Sequence, residues 1–240
     1  MAAVIIYYSL MGRGSATSSA SANARSGVSG YQKYPRTPHL SFSSGASDDI
    51  FLNNNQQFQN REILVSCKID GEATTFYSDG YCHARSLDSA YHPSQSRIKA
   101  LAATVGSQLP EGWRVCGENA VAEHSISYQW IPHFLVYSIW NQDNQALSWQ
   151  ETKQWATKLG LETVPELYLG QWDEDVVRCC WPQEDSSPYS SESEGFVVRL
   201  ADEFAYQDFG QSVAKFVRPA HVADGAQHWR SAPLRENKIR

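Results

Sequence analysis

Lys68 is the side chain around which a reaction could be built. It stands in Ser66-Cys67-Lys68-Ile69-Asp70-Gly71-Glu72, after Ile63-Leu64-Val65 and before Ala73-Thr74-Thr75-Phe76-Tyr77. Both flanks are β-branched and apolar, which predicts strands, and Gly71 predicts a bend between them. In an extended chain, residues two apart share a side, which sets the Asp70 carboxylate beside the Lys68 amine. A lysine partly desolvated at the mouth of a sheet, close to other cations, has its pKa pulled down from about 10.4 and becomes a nucleophile. Lys-x-Asp-Gly alone arises by chance in roughly one chain of this length in twenty. The weight therefore falls on the stretches downstream of it.

Four further stretches come in order: Gly117-Glu118-Asn119, Phe134 to Ile139, Glu194-Gly195-Phe196-Val197-Val198, and Lys215-Phe216-Val217-Arg218. The elements that must position them can be read from pattern. Ser78-Asp79-Gly80 predicts a turn, and Tyr81 to Ser86 a strand ending in the positive charge of Arg85. Pro93 to Gln108 predicts a helix with Ser94 or Ser96 as cap and an apolar stripe of Ile98, Leu101, Ala102 and Val105. Strands are expected over Trp113 to Asn119, Phe134 to Trp140, Thr163 to Leu169, Glu194 to Leu200 and Val213 to Arg218. Ser148-Trp149-Gln150-Glu151 predicts a second helix by its capping box, closed by Gly160. Ser41 to Asn60 and Trp172 to Ser193 read as loops. Strands that outnumber helices without βαβ alternation argue an α+β domain on antiparallel sheet.

The 240 residues carry a formal net charge of -6, with a sequence pI near 5.6. An acidic total does not favour a nonspecific polyanion binder but leaves room for a local basic cleft. Nothing approaches the roughly 20 apolar residues of a membrane span. Five scattered cysteines without a Cys-x-x-Cys pair argue reduced thiols, with no disulfide frame or zinc site. His221 and His228, like His83 and His124, have no cysteine or carboxylate at a zinc-ligand interval, which favours phosphate contacts or core hydrogen bonds. No Gly-rich phosphate loop and no Gly-x-Ser-x-Gly elbow is present, so P-loop kinases, dinucleotide enzymes and serine hydrolases lack support. Residues 1–30 are rich in Ser, Ala and Gly and have no acid, which predicts a disordered leader. The location expected is cytoplasmic, or an organelle if that leader is a transit peptide. Residues 31–230 are expected to form the domain and 231–240 a polar tail.

Taken together, Lys68-Ile69-Asp70-Gly71 and the four later stretches resemble, in order and approximate spacing, motifs I, III, IIIa, IV and V of the covalent nucleotidyltransferases. These are the ATP-dependent ligases and capping enzymes. Arg85-Ser86 is similar to the arginine that comes after motif I in the RNA ligase 2 group. His83 to Asp88, and Gly117-Glu118-Asn119 through His124-Ser125-Ile126, resemble a bacterial and phage RNA ligase family.

The resemblance implies an adenylation domain of antiparallel sheets flanked by helices. It also implies a three-step reaction that uses ATP and Mg²⁺ (or Mn²⁺). Lys68 would form a lysyl-AMP, pass AMP to a 5′-phosphate of RNA, and a 3′-hydroxyl would then displace it. Lys215, Arg218 and Arg85 would neutralise phosphate charge that grows during in-line transfer. Glu118 would contact the ribose, Glu194 the metal and the lysine, and Asp70 would orient groups in the later steps. Tyr137 would stack on adenine, although a core aromatic is its alternative beside Phe134 and Trp140.

Three positions depart from the family pattern. The second motif V lysine is absent or replaced by Arg218 out of register, which leaves open which of Lys215 and Arg218 meets the α-phosphate. Ser138 replaces an acid, and Cys67 stands where many relatives carry Glu. DNA ligases and capping enzymes usually carry an OB domain after motif V. About 22 residues remain after Arg218, so the expectation is no such domain, with substrate grip from a partner protein or from the RNA end alone. A module that binds nucleotide or RNA without turnover is the alternative from another class.

Overall fold

In this computed structural model residues 30–45, 48–181, 188–219 and 233–240 are described. The leader expected before Gly30, and His221 and His228, lie outside them. Thirteen strands and four helices succeed one another in chain order among those residues. The strands are β1 (Glu62–Lys68), β2 (Glu72–Tyr77), β3 (Cys82–Ala84), β4 (Arg114–Asn119), β5 (Gln129–Ile131), β6 (Phe134–Trp140), β7 (Gln145–Ala146), β8 (Glu162–Thr163), β9 (Glu166–Gln171), β10 (Gly195–Leu200), β11 (Phe204–Ala205), β12 (Val213–Val217) and β13 (Lys238–Ile239). The helices are α1 (Ser96–Val105), α2 (Trp149–Lys158), α3 (Glu174–Cys179) and α4 (Phe209–Ser212).

The strands form two main antiparallel sheets. One has the order β12-β10-β1-β9; the other runs β11-β7-β6-β4-β2-β3, with β8 added in parallel beside β6. The α+β class expected from the strand pattern therefore holds. The two strands around Gly71 do not pair with each other: β1 belongs to the first sheet and β2 to the second. Ile69, Asp70 and Gly71 carry the chain across. A Cβ on Gly71 would lie 2.6 Å from the Asn119 carbonyl oxygen, so only glycine fits this crossing.

Apolar periodicity explains the layers. Ile98, Ala102 and Val105 of α1, with Ala156 of α2, pack against Val115, Val136 and Ile139 on the outer face of the second sheet. The face of β1 and β10 carrying Ile63, Val65, Phe196 and Val198 packs with Leu40, Phe58, Trp172 and Val177. The opposite faces look at each other, with Leu64, Leu135, Trp149 and Val164 in one cluster.

The capping box of Ser148 and Glu151 forms, and Gly160 closes α2 at φ +69°. Four local expectations need correction. His92, not Ser94 or Ser96, caps the turn that leads into α1. The stretch after Trp172 is not all loop, because Asp173 caps α3 through the amides of Asp175 and Val176. Pro165 splits the strand expected over Thr163 to Leu169, and its halves join different sheets. The tail is not merely polar surface: β13 pairs in parallel with β5. Asn237 is 5% exposed and bonds the amide of Tyr128 and the carbonyls of Ala120 and Ala122.

Candidate active site

Strand register brings the chemistry to the gap between the two sheets. Ser66 of β1 lies opposite Val197 of β10, which lies opposite Lys215 of β12. Opposed residues share a face, so Lys68, two residues beyond Ser66, points into the same gap as Lys215. Lys68 is itself opposite Gly195, which puts Glu194 one residue past its partner. Lys68 Nζ is 2.5 Å from Glu194 Oε2, with the lysine side chain 23% exposed. A Cβ on Gly195 would approach the Phe216 carbonyl oxygen to 1.9 Å. Glycine there lets β10 start tight against β12 with Glu194 at its mouth.

From the second sheet comes Glu118, in the row Ala73-Glu118-Leu135. Tyr137 arrives by an irregularity. Gly117 pairs with Val136 and Cys116 with Ser138, so Tyr137 is an extra residue in β6, a β-bulge. The bulge breaks the alternation, and both Tyr137 and Ser138 line the gap. Tyr34, from the segment before the first strand, packs edge-on against the Tyr137 ring at 5.1 Å.

The gap is a cleft of about 770 Å³, lined among others by Lys68, Arg85, Glu118, Tyr137 and Lys215. Five of the eight residues singled out from sequence thus share one cavity, and Glu194 joins through its ion pair with Lys68. Two do not line it. Asp70 turns away, accepting hydrogen bonds on Oδ2 from Ser125 N at 2.9 Å, Ser125 Oγ at 2.5 Å and Ile126 N at 3.0 Å. Arg218 pairs with Glu192 at 3.3 Å. Of the two candidate phosphate cations in that stretch, only Lys215 faces the cleft. His83 meets the Tyr77 hydroxyl in the core and His124 lies 3.7 Å from Asp70.

Electrostatics corrects one expectation outright. Burial alone drives the Lys68 pKa down, but the charges of Glu194, Glu118 and Asp70, with the Glu194 hydrogen bond, outweigh it. Its pKa lies above the ordinary value, because acids and not cations dominate around Nζ. The depressed amine is Lys215, through burial and the charge of Lys68. Burial pushes the Glu118 carboxyl up to about 8, with Lys68 opposing and Glu194, Asp70 and Glu72 adding to the rise.

The family model described as RNA ligase matches residues 61–217. The chain belongs to the RNA ligase family. Among solved structures, an archaeal ATP-dependent RNA ligase is 16% identical, with a TM-score of 0.52, covering 78% of this chain and 48% of that one. Naegleria gruberi RNA ligase with PPi is 15% identical at a TM-score of 0.50, over 80% and 62% of the two chains. A mutant of that enzyme with ATP and Mn is 14% identical, with a TM-score of 0.50, over 79% and 58%. At these identities the likeness is one of fold. The chain spans between about half and three fifths of the length of these ligases. No curated protein matches its sequence.

For a member of the RNA ligase family, the site holds several side chains that motif reading missed. Arg36 lines the cleft and is 3.1 Å from both Asp48 and Asp49. Asp49 in turn is 3.3 Å from His39 and 4.0 Å from Lys215. The Leu40 amide donates to the Lys215 carbonyl at 2.8 Å and the Lys215 amide to the Pro38 carbonyl at 2.9 Å. These bonds anchor the N-terminal segment on the edge of β12, and with it Arg36. Arg199 is buried in the lining as well. Its charge within the apolar run Phe196-Val197-Val198-Arg199-Leu200 was readable, since it stands two residues after Val197 on the same face.

Proposed function

We propose that the protein is an ATP-dependent RNA ligase that joins a 3′-hydroxyl to a 5′-phosphate through a lysyl-AMP. The observation that carries this reading is the convergence of Lys68, Glu194 and Lys215 on one cleft that also contains the Tyr137 ring. In the first step Lys68 Nζ bonds to the α-phosphorus of ATP while the bond to the bridging oxygen breaks, and pyrophosphate leaves with the electron pair. The ammonium proton must go first, and Glu194 Oε2 is the acceptor 2.5 Å away. Lys215 offsets charge building on the phosphate. AMP then moves to the RNA 5′-phosphate, freeing Lys68, and the 3′-hydroxyl oxygen finally attacks that phosphorus and expels AMP. Arg85, exposed at the rim after β3, would meet the RNA end in the sealing steps.

Among the described residues no group of three or more His, Cys, Asp or Glu is arranged to hold a metal. Glu194 would instead hold Mg²⁺ or Mn²⁺ completed by phosphate oxygens and water, the usual mode for these ions, with Glu118 left to the ribose. Such an ion, when bound, withdraws charge from the reacting phosphate. The deciding experiment incubates the protein with α-labelled ATP and Mg²⁺ or Mn²⁺, then offers 5′-phosphorylated RNA. Label that stays on the denatured chain in alkali and is released by acid, as a phosphoramidate P–N bond requires, is expected, and RNA added to the native protein should chase it into sealed product. Label-free protein that still binds ATP would defeat the reading in favour of a binding module.

Tyr137→Ala should raise KM for ATP about 5- to 150-fold with a smaller change in kcat, the range set by about 1–3 kcal/mol for base stacking. Tyr137→Phe should stay near wild type. Label transfer at varied ATP concentration measures both, and a Tyr137→Ala KM equal to wild type would return this ring to a core role.

A further inference from the structure

Arg36 lines the cleft and has no part in the scheme above. It stands in Tyr34-Pro35-Arg36-Thr37-Pro38, where two prolines hold the backbone extended. Both ends of the segment are tied, each to a different sheet. On the second sheet, the Gln32 amide donates to the Tyr77 hydroxyl at 2.6 Å and the Tyr34 ring packs on Tyr137. On the first, the Lys215 amide donates to the Pro38 carbonyl and the Leu40 amide to the Lys215 carbonyl. The segment is thus a strap from one sheet to the other, and Arg36 lies midway along it.

The guanidinium is held by one nitrogen. Nη2 donates to Asp48 Oδ2 and to Asp49 Oδ1, both at 3.1 Å. Among the described residues Nε and Nη1 make no hydrogen bond, so their N–H groups are open to a further acceptor. The Arg36 side chain is 42% exposed and that of Asp48 77%. Ion pairs this open contribute little to stability, so folding alone does not account for a cation fixed at this place. Asp49 Oδ1 also lies 4.0 Å from Lys215 Nζ. One carboxylate oxygen therefore stands between the two cations, where an oxygen of a bound anion would be shared by both.

The order of the strands says which anion. Lys68 lies on β1 and Lys215 on the edge strand β12, with β10 between them. Residues 38–40 pair beside β12, and residues 50–52 pair beside them in turn. Arg36 and Asp49 belong to these two added segments, on the side of Lys215 away from Lys68. In-line displacement at phosphorus sets the leaving group opposite the nucleophile. With the α-phosphorus between Lys68 and Lys215, the departing oxygen and the two phosphates behind it extend toward Arg36.

We propose that Arg36 is a catalytic residue of the first step, receiving the β- and γ-phosphates of ATP and the pyrophosphate that they become. This rests on the lysyl-AMP reading above. As the bond from the α-phosphorus to the bridging oxygen breaks, that oxygen keeps the electron pair. Nε and Nη1 of Arg36 offset the charge that pyrophosphate gains, and no proton has to reach the leaving group. The later steps begin after pyrophosphate has gone and make no use of Arg36.

Three rates on the full chain test this. They are covalent labelling by α-labelled ATP with Mg²⁺ or Mn²⁺, discharge of that label by added pyrophosphate, and sealing of RNA that already carries a 5′-adenylate. Arg36→Ala should slow labelling about 10- to 100-fold. It should raise the pyrophosphate concentration for half-maximal discharge by a similar factor, and leave sealing within about twofold of wild type. Arg36→Lys keeps the charge without the fork and should fall between. Labelling and discharge unchanged in Arg36→Ala would reduce the residue to a surface ion pair, overturning the inference and leaving the ligase reading standing. Sealing of the adenylated RNA slowed as much as labelling would also overturn it, because a strap that only supports the cleft affects every step. A wild-type chain that takes no label would overturn both readings.

Discussion

Lys68→Ala is expected to abolish covalent labelling by ATP and all sealing that starts from ATP, a loss on the order of 10⁴-fold or more. The reason is chemical: among the described residues no other amine both lines the cleft and pairs with Glu194, and Lys215 lies across β10 on β12. Sealing of RNA that already carries a 5′-adenylate bypasses the first bond and should survive far better. Loss of both activities together, with ATP binding intact, would mean that Lys68 does more than form the adenylate. Labelling that persists in the alanine variant would place the nucleophile elsewhere.

Glu194→Gln is expected to lower the rate of label transfer about 10²- to 10⁴-fold, the range for loss of a positioned proton acceptor. Its pH profile separates this role from a structural one. In the wild type the charges of Glu194, Glu118 and Asp70 hold the Lys68 pKa above the ordinary value, so transfer should climb with pH through the alkaline range as the neutral amine appears. Removal of the Glu194 charge takes away the main opponent of burial. The Lys68 pKa falls, and the rising limb should move to lower pH while the plateau drops. Stopped-time labelling between pH 6 and 10 reads both quantities. A limb that stays in place would show that Glu194 does not control that proton.

Much of the site was legible because the reacting groups sit on strands whose order is fixed by sequence. Lys68 and Glu194 are 126 residues apart yet meet at one end of the β1–β10 ladder, and the resemblance of their two stretches to motifs I and IV was enough to anticipate it. Arg218 shows a signal that was present and unused. It stands three residues from Lys215, and along a strand an odd interval points to opposite faces. Other features leave no trace in pattern. The bulge at Tyr137 occurs within an apolar run broken only by Ser138, with no glycine or proline to mark it. Arg36 and Asp49 come from irregular chain with no periodicity, and their place depends on long-range pairing with β12. The lysine pKa went the wrong way because its sign depends on which charges are nearest, and sequence supplies their number but not their distances.

The three-residue crossing from β1 to β2 has a mechanical corollary. Lys68 is the last residue of one sheet and Glu72 the first of the other, so the reactive amine rides at the seam of two plates with almost no slack. A tilt of one plate against the other would carry Nζ relative to the Tyr137 ring. Under the proposed reaction, a small molecule wedged between the plates well away from position 68 would thus stop adenylate formation by leverage, without ever competing for the amine.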